Sequence, residues 1–332
     1  MDQPAALQRL IDAYTGAAGR ERWSALPEAG AAPLLVGMGA SYHSALLGAH
    51  FLAQRGLAAT AHEAAEVLYG ADPALELATA LVYISQSGAS GEIAPILERL
   101  PAGTPVIALT NDADSPLAQR ADFVLPLLAG DEQTVATKTY LNTLALLWLL
   151  AARWSGAHDA ESALSAARER VAALLAEAEA TARRWVAQLG PAKTLVFLGA
   201  GAQAVTARQC AMMVMEWVKV PALSATLGAF RHGPLEIAEA GLGAVLFAAP
   251  GPAYASTLRL AKELDGHGVT VLLVEHGQTR ALGEPPTNGA LLDAALAPLL
   301  DVVPVQLFVE ALARERGLPG TFRRIGKIVT HI

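Results

Sequence analysis

Residues 81–100 most constrain how this chain folds. They predict a strand that is followed directly by a hydroxyl-rich loop and then by a helix. Leu81 to Ile84 is a short apolar run, typical of a buried strand in a parallel sheet. Residues 85–91 read Ser-Gln-Ser-Gly-Ala-Ser-Gly, and from Glu92 to Leu100 the apolar residues recur at helical spacing. This order of elements is the βα unit of a sheet covered by helices.

The loop of this unit is predicted to bind a phosphate group. Ser90 or Gly91 is placed as the helix N-cap, where free backbone N–H groups and the helix dipole favour an anion. The loop has no Lys or Arg, and it lacks both the Walker spacing and G-x-G-x-x-G. These absences favour a small phosphate monoester over a nucleotide, the alternative being an ordinary Ser/Gly turn without a ligand.

The second half of the chain repeats the first. The strand and glycine turn at Gly37 recur at Gly199, 162 residues later, and the strand before Ser85 is echoed before Pro250. The second copy has Pro250-Gly251-Pro252 where the first has its serine loop, so one phosphate site per chain is expected.

This repetition predicts an α/β fold of two doubly wound parallel-sheet lobes, flavodoxin-like three-layer α/β/α units related by internal duplication. A long Ala/Glu/Arg-rich run from Asp159 to Leu189 has no turn signals and predicts a single connecting helix. The predicted domains are a helical lead-in (1–30), a first, phosphate-binding lobe (31–156), the connector helix (157–190) and a second lobe with a C-terminal active-site tail (191–332).

Composition excludes several classes of function. The net charge of −7 over 332 residues, without a Lys/Arg run, argues against nucleic-acid and anionic-membrane partners. The single cysteine, Cys210, excludes an internal disulfide framework and suits a reducing compartment. No secretory signal is visible, and the most apolar run, Leu144 to Ala152, is too short to span a bilayer. We therefore expect a cytoplasmic protein.

No metal and no cofactor are expected. The histidines show no metal-ligand spacing with cysteine or carboxylate partners. The glycine pairs at Gly37 and Gly199 follow predicted strands, but they lack the third glycine and the acidic ribose partner of a dinucleotide site.

Over nearly its whole length the chain resembles the sugar-isomerase (SIS) family. It is most similar to the isomerase domain of glucosamine-6-phosphate synthase and to the related glucosamine-6-phosphate deaminases and phosphosugar isomerases. The matching motifs occur in order in both halves of the chain. They are Gly39-Ala40-Ser41-Tyr42-His43, Ile84-Ser85-Gln86-Ser87-Gly88, Val135-Ala136-Thr137-Lys138, Arg231-His232-Gly233-Pro234-Leu235, the segment from Ala297 to Leu307, and Gly326-Lys327-Ile328-Val329-Thr330.

The resemblance implies roles for particular residues. The carboxylate that shuttles the proton matches Glu216, 16 residues before the ring-opening histidine, which matches His232. A substrate-contacting lysine near the C-terminus matches Lys327. The resemblance also implies a homodimer with composite active sites, because the family's histidine reaches a neighbouring subunit. The implied phosphate-binding residues are Ser41, Ser85, Gln86, Ser87 and Ser90, and the other implied substrate-binding residues are Gly39, Ala40, Val135 and Thr137.

The chemistry of these residue types agrees with the implied roles. Aldose–ketose conversion moves a proton between C1 and C2, which needs one carboxylate near both carbons. Glu216 follows Met212-Met213-Val214-Met215, where burial would raise its pKa toward a useful range; taken alone it would be a solvent-facing helix-end carboxylate. His232 has a side chain suited to proton transfer near neutrality, the alternative being a spacer in a Gly-Pro loop. Lys327 would form an imine or a hydrogen bond with the open-chain carbonyl, the alternative being a surface lysine.

The chain departs from the family pattern at several points. Gln209 and Met213 replace a glutamate and a lysine upstream of Glu216, and the Val-Ala-Thr-Lys segment is one residue shorter than usual. No glutaminase domain precedes the first lobe, so glutamine is not expected to supply ammonia by that family's route.

The sequence therefore predicts an enzyme, a phosphosugar isomerase or aminosugar-phosphate deaminase that converts glucosamine 6-phosphate into fructose 6-phosphate and ammonia. A fructosamine-6-phosphate deglycase and a non-catalytic sugar-phosphate-binding protein are the alternatives. A transcriptional regulator is disfavoured, because about thirty N-terminal residues leave no room for a helix-turn-helix segment.

Overall fold

The computed structural model describes residues 2–70, 72–132, 134–284, 294–318, 322–324, 326 and 328–330. These form two compact units. The first lobe comprises the described residues of 2–168 together with those from Arg323 onward, and the second lobe those of 169–322. The predicted second lobe included the C-terminal tail. In the structure the described tail residues join the first lobe, where the Gly91 amide donates to the Val329 carbonyl at 3.1 Å.

The first lobe has a five-stranded parallel sheet among its described residues, in the order β2-β1-β3-β4-β5. This is the flavodoxin-like order. The strand β2 is added on one side of β1, and the later strands β3 to β5 are added on the other side. The three central strands are buried over their whole length, as their continuous apolar runs predict. The strands are β1 (Pro33–Gly37), β2 (Thr60–Glu63), β3 (Ala80–Ile84), β4 (Val106–Thr110) and β5 (Phe123–Pro126).

Helices cover this sheet. The longest is so apolar that Thr139 to Ala152 are all buried, and it ends at Gly156, whose φ of 71° is the left-handed conformation that glycine adopts at helix ends. The helices are α1 (Gln3–Tyr14), α2 (Gly16–Trp23), α3 (Ala40–Gln54), α4 (Ala64–Tyr69), α5 (Asp72–Glu76), α6 (Ile93–Arg99), α7 (Pro116–Arg120) and α8 (Lys138–Ser155).

The second lobe repeats this topology. Its described sheet has the order β10-β9-β8-β6-β7, so β6 lies between β7 and β8 as β1 lies between β2 and β3. The strands are β6 (Thr194–Gly199), β7 (Ala222–Thr226), β8 (Leu242–Phe247), β9 (Thr270–Glu275) and β10 (Gln278–Arg280).

The expectation of a fully parallel second sheet is wrong at its edge, because β10 pairs antiparallel with β9. The reason is the connection between them. Only His276 and Gly277 separate the two strands, both with positive φ (50° and 77°), and a two-residue turn of this kind joins antiparallel neighbours.

The predicted single helix from Asp159 to Leu189 is two helices. Glu177, with φ −100° and ψ 13°, separates α9 (Ala160–Ala176) from α10 (Ala178–Leu189). The remaining helices belong to the second lobe, which also has a π-helical turn at Val214–Val218 and 3₁₀ turns at Pro234–Ile237 and Ala294–Leu296. They are α11 (Ala202–Met213), α12 (Leu227–Arg231), α13 (Tyr254–Gly266), α14 (Ala297–Asp301) and α15 (Val303–Glu315).

Among the described residues, one helical stretch, Ala294–Glu315, is long and apolar enough to cross a bilayer. Within its most apolar window 89% of the residues are buried inside the protein, as in the core helix of a globular protein.

Candidate functional site

In the first lobe, two of the implied phosphate-binding segments leave the sheet side by side. Gly37 pairs with Ile84, so β1 and β3 end in register and the segments that begin at Met38 and Ser85 start next to each other. This is the topological switch point of the sheet, where open α/β sheets bind ligands. The sheet order therefore brings Ser41 and the serine loop to one edge.

The turn after β1 brings the backbone of Ser41 close to Gly37, the last residue of the strand, and this close approach requires glycine. A Cβ atom on Gly37 would lie 2.7 Å from the backbone carbon of Ser41, closer than real contacts allow. The chain then passes through Gly39, with φ 52°, and Ala40 begins α3. The Ser41 amide donates to the Met38 carbonyl at 3.0 Å, and its side chain is half-buried.

The serine loop is anchored to the connection between β4 and α7. Backbone amides of Asn111 and Leu117 donate to the carbonyls of Gln86 and Gly88, each at 3.0 Å. A Cβ on Gly88, whose φ is 61°, would lie 2.0 Å from the Oγ of Ser115. Only glycine fits there, so the loop has a defined shape.

Part of the predicted donor set is used within the loop itself. The Ser85 and Ser87 hydroxyls accept from the amides of Gly88 (3.1 Å) and Ala89 (3.3 Å). The amides of Ser87 and Ser90 have no hydrogen-bond partner in the described part of the chain. The predicted N-cap is displaced, because α6 begins at Ile93 with Glu92 before it. The remaining candidate donors are those two amides with the serine hydroxyls.

Thr137 already has a partner within the protein. Its hydroxyl donates to the carboxylate of Glu132 at 2.7 Å, and Glu132 also accepts from the amides of Thr137 (2.9 Å) and Lys138 (2.7 Å). The Thr139 hydroxyl and amide donate to the same carboxylate. Glu132 thus caps the start of α8, while Val135 is buried. Glu132 is not among the predicted site residues, although an acidic residue just before a long apolar helix is a recognisable signal.

The C-terminal tail reaches the serine loop through the bond between Gly91 and Val329. The predicted substrate-contacting residue Lys327 lies outside the described residues. In the same lobe, therefore, the structure brings Ser41 and the serine loop to one edge and fixes the described part of the tail against that loop.

In the second lobe, Glu216 lies on the π-helical turn that follows α11. Single π turns inside α-helices occur frequently at functional sites. Burial raises the pKa of the half-buried Glu216 carboxyl, and the nearby Lys219 ammonium partly offsets that rise. A raised pKa suits a group that must both take up and release a proton.

His232 lies at the end of α12 and is exposed. Thr226 caps the start of α12 by accepting from the Ala229 amide at 3.1 Å, and an ion pair of 3.0 Å between Arg231 and Glu263 holds its end. Gly233 follows with φ 142°, a conformation open to glycine. The described part of the chain shows no hydrogen bond between the side chains of His232 and Glu216.

The residues that depart from the family pattern, Gln209 and Met213, are both buried on α11. Among the described residues no group of three or more His, Cys, Asp or Glu is placed to hold a metal ion.

Comparison with known proteins adds to these observations. Residues 33–153, which include the whole described sheet of the first lobe, match the SIS domain family. A glutamine–fructose-6-phosphate aminotransferase (isomerizing) of Methanothermobacter thermautotrophicus is 29% identical over 302 residues, which are 89% of this chain and 51% of that protein. The chain spans about half the length of the curated relatives it matches.

Solved structures share the whole fold. Glucosamine-6-phosphate deaminase of Thermotoga maritima superimposes with a TM-score of 0.78 at 21% identity, covering 99% of this chain and 98% of that one. Tagatose-6-phosphate ketose/aldose isomerase of Escherichia coli superimposes with a TM-score of 0.79 at 22% identity, covering 98% and 94%.

Proposed function

We propose that this protein, whose residues 33–153 match the SIS domain family, is a phosphosugar isomerase acting as an aminosugar-phosphate deaminase. The proposed substrate is a hexosamine 6-phosphate, with glucosamine 6-phosphate and water giving fructose 6-phosphate and ammonia. The relative from Methanothermobacter is named for a fructose-6-phosphate aminotransferase, and the Thermotoga structure for a glucosamine-6-phosphate deaminase.

The observation that carries the proposal is the arrangement of neutral donors at the ends of β1 and β3. Ser41, the hydroxyls of the serine loop and the free amides of Ser87 and Ser90 lie at a switch point without a Lys or Arg in the loop. Such a set of donors suits the dianion of a small phosphate ester. Ser85 and Gln86 complete the proposed phosphate site, and Gly39, Ala40, Val135 and Thr137 the proposed sugar contacts.

The second lobe supplies the proposed acid–base groups. His232 protonates the ring oxygen as the C1–O5 bond breaks and the C1 hydroxyl releases its proton to solvent, giving the open-chain aldehyde. Glu216 removes the C2 proton and returns it to C1, while O1 gains a proton and the 2-amino group loses one, so that the 2-amino aldehyde becomes a 2-imine with a hydroxymethyl group at C1. Water then adds to C2 and ammonia leaves, which gives the ketose. Lys327 is assigned to the open-chain carbonyl, as an imine or as a hydrogen-bond donor.

A substrate panel tests this proposal. Wild-type protein is incubated with hexosamine 6-phosphates, their ketose counterparts and fructosamine 6-phosphates, with ammonia, free amine and sugar products measured separately. Ammonia release from glucosamine 6-phosphate with stoichiometric fructose 6-phosphate supports the deaminase. Amine release from a fructosamine 6-phosphate alone would replace it by a deglycase, and tight binding without turnover of any member would replace it by a sugar-phosphate sensor.

We also propose a homodimer with composite sites. His232 is exposed, and three large apolar side chains near these segments are exposed too: Met215 (46%) beside Glu216, Leu223 (50%) on the edge strand β7, and Ile237 (40%) after His232. Contiguous exposed apolar patches mark surfaces that a partner covers, and we propose that these three side chains belong to such a patch. A second copy of the chain would bury them.

Subunit mixing tests the dimer. Chains with Glu216→Gln and chains with His232→Ala are each expected to be inactive. Subunit exchange between them should restore part of the activity, because a mixed dimer has one site with both groups intact. A dimer that exchanges subunits without recovery, or a strict monomer in light scattering, would contradict the composite site.

The proposed location is the cytoplasm, since a lone buried cysteine and an acidic chain suit a reducing compartment and a soluble sugar-phosphate substrate. No nucleic-acid or membrane partner is proposed. Fractionation of expressing cells should recover the protein with cytoplasmic enzymes.

A further inference from the structure

The segment that follows Glu216 has an uncommon backbone. Lys219 has φ 62° and ψ 32°, the left-handed conformation that side chains other than glycine and asparagine rarely adopt. Its amide donates to the carbonyl of Val214 at 3.1 Å, five residues earlier, which is the bond that closes a π turn. Lys219 therefore ends the turn on which Glu216 lies.

The side chain of Lys219 folds back over the same turn. Its ammonium donates to the backbone carbonyl of Glu216, and the side chain is half-buried. The bond is to the carbonyl and leaves both carboxylate oxygens of Glu216 free for a substrate. The ammonium also favours the ionised carboxylate and so opposes the rise that burial causes in the pKa of Glu216.

Other charged groups around Glu216 are directed elsewhere. The π turn packs on α11 and α15. On α11 the charged residue is Arg208, which is exposed. On α15, Glu310 and Arg314 pair with each other at 2.8 Å in solvent, and Glu315 is exposed. Within the described residues, the Lys219 ammonium is the charge that opposes the rise in the pKa of Glu216 caused by burial.

We propose that Lys219 is a positioning residue for Glu216, which fixes the π-helical turn and keeps a positive charge beside the carboxylate while leaving that carboxylate unpaired. A left-handed lysine costs stability where glycine would not, and its presence at the end of this turn is accounted for by the cation it supplies. The inference rests on the proposed role of Glu216 as the base, and it concerns how the chain keeps that base ionised.

The test measures the pKa of Glu216 directly, so that it does not depend on finding the substrate. Full-length protein with ¹³C-labelled glutamate carboxyls is titrated by NMR, and the Glu216 signal is identified by its loss in Glu216→Gln. The variants are Lys219→Met, Lys219→Gly and Lys219→Arg, with Lys262→Met, an exposed lysine of α13, as the matched control.

Removing the positive charge disfavours the ionised carboxylate, so the pKa of Glu216 should rise in Lys219→Met and Lys219→Gly. It should not change in Lys219→Arg or Lys262→Met. Lys219→Gly should melt no lower than the wild type, because glycine adopts φ near 60° freely. An unchanged Glu216 pKa in a folded Lys219→Gly protein would overturn the proposal.

With an active substrate, the same variants separate the two proposals. The acidic limb of kcat/KM should move to higher pH in Lys219→Gly by the shift seen in the titration, and Lys219→Arg should restore it. A shift of the Glu216 pKa without any change in that limb would keep Lys219 as the positioning residue while removing Glu216 as the base. A loss of activity at all pH values without a shift of the limb would mean that Lys219 acts only on structure.

Discussion

The two lobes build the same turn and use it differently. In the first lobe, β1 ends at Gly37 and the chain returns at once to Ser41. In the second, β6 ends at Gly199 and the chain returns to Gln203, also four residues later. Each glycine is needed for the same reason, since a Cβ on Gly199 would lie 2.3 Å from the Gln203 carbonyl oxygen.

The two lobes differ in the residue to which the chain returns, Ser41 in the first and Gln203 in the second. Ser41 is half-buried and has a short side chain. Gln203 is buried, and its amide donates to the buried carboxylate of Asp301. Asp301 also accepts from the amide of Gly277 in the turn between β9 and β10. The second lobe thus has a buried, hydrogen-bonded side chain at the position where the first lobe has the half-buried Ser41.

The segments after β3 and β8 differ in the same direction. The first lobe has a loop of serines held in shape by Gly88, and the second has two prolines around Gly251, which cannot donate through their nitrogens. These differences agree with the proposed division, in which the first lobe binds the phosphate and the second transfers the proton.

The substitution expected to have the largest effect on turnover, and therefore the strongest test of this division, is Glu216→Gln. This change keeps the shape of the side chain and removes the base, so turnover should fall by about 100-fold or more while sugar-phosphate affinity stays within about twofold. Calorimetric titration and turnover are measured on the same protein, with the exposed Glu236→Gln as control. Turnover close to wild type would remove Glu216 from the reaction.

Next comes a pair of glycines with similar backbone but different surroundings. Gly88 and Gly201 have φ of 61° and 57°, but only Gly88 would place a Cβ against another side chain, that of Ser115. Both alanine variants should lose about 1–2 kcal/mol of stability from the left-handed backbone. Gly88→Ala should in addition lose sugar-phosphate affinity by more than tenfold, measured by calorimetry, because the serine loop must move. Equal affinity in the two variants would mean that the shape of the loop does not matter.

A smaller loss is expected from Ser87→Ala. Removing one neutral donor to a charged phosphate should cost about 1.5–3 kcal/mol of sugar-phosphate affinity. Ser224, also half-buried but on β7 of the second lobe, is the matched control, and Ser224→Ala should bind as the wild type does. If both serine variants bind equally well, the loop is not the phosphate site.

Asp301→Asn should leave substrate handling unchanged and alter only the pH dependence of stability. Burial raises the pKa of Asp301 from 3.8 to about 7, and hydrogen bonds from Gly277 and Gln203 oppose that rise. Between these values the folded state holds more protons than the unfolded state, so the free energy of unfolding falls as pH rises toward 7. The neutral asparagine removes this contribution, and Gln203 can turn its free Oε1 toward the new amide.

Urea unfolding at pH 5 and pH 7.5 measures this effect. The wild type should lose more stability between the two pH values than Asp301→Asn does. An equal loss of stability in both proteins would show that Asp301 is ionised throughout this pH range. Weakened sugar-phosphate binding in the variant would contradict the proposal that this part of the second lobe does not bind the phosphate.

Much of the fold was predictable from local pattern. The apolar runs before Gly37, Ser85, Gly199 and Pro250 are long enough to specify buried strands, and their repetition in the same order predicts two similar sheets. Short edge elements were not predictable in this way. The strand β10 has only three residues, and its direction follows from a two-residue turn whose left-handed His276 no sequence pattern indicated.

The candidate site shows the same limit. The serine loop and the residue types at 41, 216 and 232 can be found in the sequence, because hydroxyls next to glycines and a carboxylate in an apolar helix are chemically distinctive. Which of the loop's donors remain free was not predictable, since the amides of Gly88 and Ala89 donate to the hydroxyl oxygens of Ser85 and Ser87. The hydrogen bond from the Thr137 hydroxyl to the Glu132 carboxylate was not predictable either, because it depends on how the chain folds before α8.

The sequence by itself determined the strand runs, the glycine turns and the order of the βα units, because each is set by residues adjacent in the chain. Tertiary structure decided the register of β1 and β3, the π turn that presents Glu216 and the bond between Gly91 and Val329. The physical reason is that hydrogen bonds and burial depend on which groups meet in space, and the groups that meet here are far apart in sequence or, in the π turn, adopt a backbone that local propensity disfavours.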